Sequence, residues 1–131
     1  MEANRVLIPK TPAEAEKAFG AGTGVTVIAG GTIVMPEITI GRLRPKKAIL
    51  LTQAGLGGIE RGNGWITIGA ATPLADLVGL PAPVGPCAAN VADVEIRAQA
   101  TLGGNLCAGV GPEAPRGDLQ GALLAVGATA R

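Results

Sequence analysis

Two short stretches of this sequence join paired glycines to threonine, a combination that can bind phosphate through the main chain. The first comprises Ala29, Gly30, Gly31, Thr32, Ile33 and Val34, and the second comprises Thr101, Leu102, Gly103, Gly104 and Asn105. A glycine pair lets the backbone turn sharply and approach a ligand with no Cβ in the way. Exposed amides at such a turn, followed by a helix, donate hydrogen bonds to anionic oxygens. Taken alone, a strand followed by Gly-Gly-Thr is also common as a plain structural turn.

The two stretches together suit a ligand that carries two phosphate groups. A pyrophosphate needs donors from more than one direction, and two separate glycine loops would supply them. We therefore expect the backbones of Gly30 and Gly31 to converge with those of Gly103 and Gly104 on one site. Both stretches are predicted to be loops.

Side chains that could perform catalysis themselves are scarce. The sequence contains no His and no Tyr, so the commonest general base and a phenolic acid are missing, and the carboxylates show no paired spacing. Cys87 and Cys107 are too few and too far apart for a zinc or iron–sulfur motif, and buried, apolar cysteines are expected instead. No catalytic or metal-binding residue is predicted. A bound cofactor would have to bring the reactivity.

Two common nucleotide-binding motifs are absent. Residues 20–24, Gly-Ala-Gly-Thr-Gly, do not fit G-x-G-x-x-G, and they precede their strand whereas that fingerprint must follow one. No glycine is followed by Lys and then Ser or Thr, as a P-loop requires. The sequence therefore predicts neither a Rossmann domain nor a P-loop.

The elements around the first glycine stretch form a β-α-β unit. Residues 6–8 are a short apolar strand, and Thr11-Pro12-Ala13-Glu14 combines a threonine cap, a proline at the first helical position and a glutamate three residues after the cap. Gly20 then ends the helix, and residues 25–29 form a second, β-branched strand. Such a crossover makes the two strands parallel.

Further along the chain the pattern predicts one hairpin and several short helices. The arms 59–61 and 65–69 flank Gly62-Asn63-Gly64, with Trp65 as a packing anchor. Thr72-Pro73 is expected to cap a helix, and residues 87–92 and 118–126 to be helical after loops.

Composition excludes several function classes. The chain has 131 residues, 47% of them hydrophobic, and a net charge of +1 with acids and bases interspersed. These values predict a folded domain with a modest core and no nucleic-acid interface. The amino terminus has mixed charge and no uninterrupted apolar segment, and no run reaches the ~18 residues of a transmembrane helix. We therefore expect a soluble cytoplasmic protein.

Four segments, in order, resemble the FAD-binding domain of the molybdenum hydroxylase family: "AGGTIVMPEITIGRLRP", "ITIGAATPLADL", "IRAQATLGGNLCA" and "GDLQGALLAVGA". That family includes the flavin-carrying medium subunits of carbon monoxide dehydrogenase-type enzymes and the central domain of xanthine dehydrogenase. The resemblance implies a two-lobed α+β fold of the p-cresol methylhydroxylase and vanillyl-alcohol oxidase type. Residues 1–52 would be the N-terminal β-α-β lobe and residues 53–131 an incomplete second lobe. The family's further C-terminal flavoprotein domain is expected to be absent.

The resemblance also assigns a cofactor, FAD, and its binding residues. It implies a first pyrophosphate loop made of Ala29, Gly30, Gly31, Thr32, Ile33 and Val34, and a second made of Thr101, Gly103, Gly104 and Asn105. Asp118 would lie near the ribose, where a carboxylate can accept hydroxyl hydrogen bonds. A helix cap without a ligand is an equally weighted alternative for Asp118. Residues 109–116 are extra relative to the family pattern and could displace Asp118.

The implied function is electron transfer within a larger enzyme. FAD would take electrons from an iron–sulfur small subunit and pass them to an external acceptor, while a large subunit with a molybdenum cofactor would oxidise the substrate. Little activity is expected from this chain alone, and self-association is left open. The alternative hypothesis is a non-catalytic assembly module of the same fold that has lost FAD.

Overall fold

The computed structural model describes residues 5–108 and 117–131 as a mixed α/β structure. Among these residues, no helix combines the length and the apolarity needed to cross a membrane. In chain order the elements are β1 (Arg5–Leu7), α1 (Pro12–Phe19), β2 (Val25–Ile28), α2 (Val34–Thr39), β3 (Lys47–Leu50), β4 (Ile59–Gly62), β5 (Trp65–Ile68), α3 (Leu74–Leu77), α4 (Val84–Ala89), α5 (Val94–Gln99), α6 (Leu102–Cys107) and α7 (Gln120–Ala125).

The first three strands form a parallel sheet in the order β1-β3-β2. Leu7 and Val27 both align with Ile49, so β3 lies between the two strands of the predicted β-α-β unit. The parallel direction of β1 and β2 is confirmed. Because all three strands run the same way, the segments that follow them emerge at one edge of the sheet.

The predicted capping of α1 is confirmed. The Oγ1 atom of Thr11 accepts a hydrogen bond from the Glu14 amide at 3.1 Å, and Pro12 occupies the first helical position. The carboxylate of Glu14 reaches back and accepts from the Lys10 amide at 2.7 Å. Gly20 ends the helix, with its amide donating to the Glu16 carbonyl. These contacts fix the chain that leads from β1 into α1.

The hairpin of β4 and β5 is also confirmed, but the role predicted for Trp65 is wrong. Asn63 and Gly64 both have positive φ, 49° and 78°, as a two-residue type I′ turn requires. Trp65 is 66% exposed, because it pairs with Gly62 next to this turn, at the end of the hairpin. Trp65 is therefore a surface residue.

The main core lies between the short helices of the second half of the chain. It is centred on the fully buried residues Leu74, Leu77, Ala88 and Leu119. The four helices α3, α4, α6 and α7 therefore share one apolar interior, and α5 adds the half-buried Ile96 to it.

Three predicted helix starts differ from the structure. Thr72 is buried and exchanges two hydrogen bonds with the Gly58 backbone, at 2.9 and 3.0 Å, so Pro73 is the residue that precedes α3. The helix predicted at residues 87–92 is Val84–Ala89, because a proline in the first turn, here Pro86, costs little. The helix predicted at 118–126 is the shorter Gln120–Ala125.

Gly121 offers a test of helix propensity in α7. A Cβ at this exposed residue would meet nothing within 4 Å, so Gly121→Ala is expected to stabilise the fold by about 0.5–1 kcal/mol. Gly103→Ala in α6 is the contrast, because its Cβ would lie only 2.9 Å from the Ala70 carbonyl oxygen. Thermal unfolding followed by circular dichroism measures both. A lower melting temperature for Gly121→Ala would contradict the expectation.

Candidate functional site

A cavity of about 330 Å³ lies at the edge of the sheet where β2 and β3 end. Gly30 follows β2, and Leu51 and Thr52 follow β3, so neighbouring parallel strands place them on one side of the cavity. The lining residues are Ala29, Gly30, Leu51, Thr52, Ala71, Pro73, Gln99 and Thr101. A crevice beyond the carboxyl ends of parallel strands is the usual place for a ligand in an open α/β sheet.

The two glycine-containing stretches meet at this cavity. The Gly30 backbone lies directly against the end of α5: a Cβ at Gly30 would be 2.7 Å from the carbonyl carbon of Gln99 and 3.0 Å from the Cα of Ala100. Any side chain larger than hydrogen would have to move one segment away from the other. Gly30 and Thr101 line the same cavity, whereas Gly31, Gly103 and Gly104 do not line it, so the expected convergence of the two glycine pairs stays a prediction.

The first stretch offers backbone donors that the protein does not use. Within the described residues, the amides of Gly30, Gly31, Thr32 and Ile33 have no hydrogen-bond acceptor. Gly31 has a φ of +74°, which turns the chain from the strand toward α2, and its carbonyl accepts from the Met35 amide at 2.9 Å. Four successive donors at such a turn suit an anionic oxygen.

The second stretch is not a loop, contrary to prediction. Thr101 caps α6, accepting from the Gly104 amide at 3.1 Å, and both glycines lie inside the helix. The Gly103 amide donates to the Ala70 carbonyl at 2.7 Å, and the Asn105 amide to the Thr101 carbonyl at 2.9 Å. These bonds hold a glycine-containing helix that local propensity disfavours. At Gly103 the missing Cβ allows close packing on Ala70.

Asn105 and Asp118 form a second polar unit. Asn105 is buried; its Oδ1 accepts from the Leu119 amide at 2.9 Å and its Nδ2 donates to Asp118 Oδ2 at 3.2 Å. Asp118 makes no capping bond to α7, whose N-cap is Leu119. The sequence predicts that residues 109–116 could displace Asp118, but these residues lie outside the part of the chain that the structure describes.

The predicted cofactor residues are therefore distributed over neighbouring places. Ala29, Gly30 and Thr101 line the cavity at the sheet edge. Asp118 instead lies beside a separate cavity of about 310 Å³, with Pro86, Cys87 and Asn90. The other predicted residues line neither cavity and occupy the turn into α2 or the body of α6: Gly31, Thr32, Ile33, Val34, Gly103, Gly104 and Asn105.

Five residues of the cavity wall were not predicted from the sequence: Leu51, Thr52, Ala71, Pro73 and Gln99. Leu51 and Thr52 directly follow β3, and parallel strands deliver such residues to a common edge. The expectation of two buried cysteines is wrong for Cys107, which is exposed, while Cys87 is half-buried.

Comparison with known families decides the identity of the domain. The family described as "FAD binding domain in molybdopterin dehydrogenase" matches residues 2–131. The chain belongs to this family. Its cofactor is accordingly FAD, and the domain is of the kind found in molybdenum hydroxylase-type oxidoreductases.

Solved structures of related enzymes share the fold of this FAD-binding domain. Carbon monoxide dehydrogenase from Hydrogenophaga pseudoflava, in a form lacking the Mo-pyranopterin moiety of the molybdenum cofactor, is 27% identical with a TM-score of 0.72. Reconstituted CO dehydrogenase from Oligotropha carboxidovorans is 27% identical with a TM-score of 0.70. Quinoline 2-oxidoreductase from Pseudomonas putida 86 is 23% identical with a TM-score of 0.71, and this similarity shows only that the two proteins share a fold.

These matches cover part of longer proteins. Each covers 79% of this chain and 39% of the solved chain, so the FAD-binding domain spans well under half the length of these relatives. No curated protein sequence matches the chain significantly.

The residues at the sheet edge fit the pyrophosphate part of FAD. Unused amides of Gly30 to Ile33 provide donors without a competing acceptor among the described residues. The cavity wall beside them includes small residues such as Ala29 and Ala71, which leave room for a ligand, and the hydroxyl-bearing Thr52 and Thr101, which can hydrogen-bond to it.

Proposed function

We propose that the sheet-edge cavity binds the FAD pyrophosphate and that the domain serves as the electron-transfer part of a molybdenum hydroxylase-type oxidoreductase. The observation that carries the proposal is the row of four unused amides, Gly30 to Ile33, beside a cavity that Thr101 also lines. When bound, FAD supplies the capacity to accept and release electrons.

In this proposal the main chain of the first stretch does most of the binding. The Gly30 to Ile33 amides donate to phosphate oxygens, and Gly31 supplies the positive φ that orients them. The Thr101 hydroxyl already accepts from the Gly104 amide, which leaves its proton free to donate to the ligand. Leu51 and Pro73 form an apolar part of the wall.

The remaining predicted cofactor residues hold other parts of the site in place. Gly103 sets α6 close to Ala70, and the Gly104 amide donates to the Thr101 hydroxyl at the cavity. Asn105 holds Asp118 beside the neighbouring cavity. We propose that Asp118 meets the ribose if FAD extends from the pyrophosphate toward that second cavity.

The same proposal includes the two-lobed, p-cresol methylhydroxylase-type arrangement with a boundary after residue 52. The parallel sheet lies within residues 1–52, and the hairpin and the helical core lie within 53–131. The contact between Gly30 and Gln99 joins these two parts, and the cavity lies where they meet. A ligand there would touch both lobes.

Electron partners are proposed from the carbon monoxide dehydrogenase relatives. An iron–sulfur small subunit would deliver electrons, a large subunit with a molybdenum cofactor would oxidise the substrate, and the complex would work in the cytoplasm. The matched relatives are longer than this chain and include a carbon monoxide dehydrogenase in a form that lacks the Mo-pyranopterin moiety of its molybdenum cofactor. The flavin would then pass the electrons to an external acceptor.

A scaffold without FAD is the second candidate, and one observation favours it. The Gly103 and Gly104 amides are both engaged within the protein, so α6 offers no donors at these positions. A domain that only assembles with partners would need these two glycines for the packing of α6 and not for binding a ligand.

Reconstitution with FAD separates the two functions. We expect the purified chain to bind FAD with a Kd above about 1 µM, because the described cavity is too small to cover the whole cofactor. Flavin fluorescence titration and equilibrium dialysis against FAD measure this binding, and ADP should compete for the site. No fluorescence change and no excess flavin in the protein compartment at roughly 100 µM FAD would support the scaffold.

A further inference from the structure

Among the residues that the structure describes, none with a charged side chain lines the sheet-edge cavity. All eight lining residues are neutral: Ala29, Gly30, Leu51, Thr52, Ala71, Pro73, Gln99 and Thr101. A pyrophosphate in this cavity would carry two negative charges, which neutral donors stabilise less than an ammonium or guanidinium group does. A cation just outside the wall would therefore contribute to binding.

Lys10 follows β1 at the end of the sheet that carries this cavity. The paired register of β1 and β3 ends at Leu7 and Ile49, three residues before Lys10 and Thr52 respectively. The Lys10 Nζ donates a hydrogen bond to the side-chain oxygen of Gln53, the residue after Thr52. The ammonium group is thus bonded to the sequence neighbour of a residue of the cavity wall.

The charge of Lys10 is not neutralised within the described residues. The ion pair found there within 4.0 Å joins Arg42 and Glu37, at 3.7 Å. Glu14 is the nearest acid in sequence, and its carboxylate accepts from the Lys10 backbone amide. The Nζ atom has a neutral partner, Gln53, so its charge is available for an anion.

Two other basic side chains are already engaged with backbone carbonyls. Arg97 donates from Nη1 to the carbonyls of Val91 and Ala92, at 2.8 and 3.2 Å. Lys47 donates to the carbonyl of Ala18. Neither lines the cavity. Lys10 is better placed than these two groups, since its exposed four-carbon stem can swing without breaking a contact of the core.

We propose that Lys10 is the phosphate-pairing residue of this domain: its ammonium group leaves Gln53 and pairs with the FAD pyrophosphate at the rim formed by Thr52. The inference rests on the proposed FAD site. Neighbouring strands lie about 4.8 Å apart, a distance that a lysine side chain can span. The exchange replaces a hydrogen bond to a neutral amide by a stronger, charge-assisted one.

Lys10→Gln tests the proposal, with Lys17→Gln as the matched control. Lys17 is an exposed lysine in the last turn of α1, so its replacement changes the net charge equally without touching the sheet edge. We expect Lys10→Gln to raise the Kd for FAD and for ADP by about 3- to 10-fold at low salt. Lys17→Gln should leave both values unchanged, and Lys10→Arg should retain most of the affinity.

Riboflavin and salt separate pairing with phosphate from a structural effect. Riboflavin has no phosphate, so its affinity should be the same in the parent and in Lys10→Gln. The salt dependence of ADP binding should be weaker in Lys10→Gln than in the parent. Equal Kd values for FAD in the parent and in Lys10→Gln would overturn the proposed role of Lys10 but would leave the proposed FAD site standing. Failure of the parent to bind either FAD or ADP would overturn the proposed FAD site together with this inference.

Discussion

Replacing Gly30 by valine is expected to abolish FAD binding and to destabilise the fold. A Cβ at this position would overlap the Gln99 carbonyl group and approach the Cα of Ala100 to 3.0 Å. These are backbone atoms, which cannot rotate away as a side chain would. Overpacking of this kind costs about 1–3 kcal/mol. Moving α5 away from β2 would also separate Gly30 from Thr101 across the cavity.

The loss of FAD affinity should be at least about 100-fold, or 2.7 kcal/mol, because the amide row and Thr101 would no longer face one ligand. Gly79→Val is the matched control: Gly79 is exposed, and a Cβ there would meet nothing within 4 Å. Flavin fluorescence titration gives the Kd, and circular dichroism at the titration temperature shows whether the variant is folded. A folded Gly30→Val variant with parental affinity would show that FAD does not depend on this junction.

The local patterns in the sequence predicted the elements whose determinants lie next to each other along the chain. Thr11 and Pro12 start α1 and Asn63-Gly64 forms the hairpin turn, because a cap or a tight turn depends on three or four adjacent residues. The first glycine stretch was likewise recognisable as a turn after a strand. Its unused amides agree with the chemistry that its residue types suggest.

The Thr101 cap of α6 is local, but the contact that holds Gly103 in the helix is not. Gly103 and Gly104 have low helix propensity, so the sequence indicates a loop. In the structure a carbonyl from Ala70, more than thirty residues earlier, accepts the Gly103 amide, and the Thr101 side chain accepts the next one. Tertiary contacts override the local preference, and no pattern within the stretch reveals them.

The rest of the site depends on which strands pair with each other, and the sequence does not show this order. Thr52 lies at the cavity because β3 pairs with β2, and Lys10 bonds to the adjacent Gln53 because β3 also pairs with β1. Sequential strands would more often be neighbours, so β1 beside β2 is the simpler expectation. The central position of β3 is what brings the ends of three separate segments to one edge.

Replacing Asn105 by alanine is the second change with a large expected effect, in this case on stability. The side chain is buried and makes two hydrogen bonds, from the Leu119 amide at 2.9 Å and to Asp118 at 3.2 Å. Truncation would leave the buried Leu119 amide without this acceptor, at a cost of about 1–3 kcal/mol. Leu119 is a fully buried member of the main core, so the loss would be felt where α6 and α7 pack together.

Asn90→Ala is the control for this change, since Asn90 is exposed and donates to the Pro86 carbonyl on the surface. We expect Asn105→Ala to lower the melting temperature by roughly 3–12 °C and Asn90→Ala to lower it much less. A parental melting temperature for Asn105→Ala would show that the link between α6 and the start of α7 does not stabilise the domain.

Asp118→Asn extends the test to the ligand, because it keeps a side chain of the same size next to Asn105 while removing the charge. If Asp118 binds the ribose, this variant should weaken FAD binding several-fold at nearly unchanged stability, since a carboxylate accepts hydroxyl hydrogen bonds more strongly than an amide does. If Asp118 serves only to hold Asn105, the FAD titration should match that of the parent.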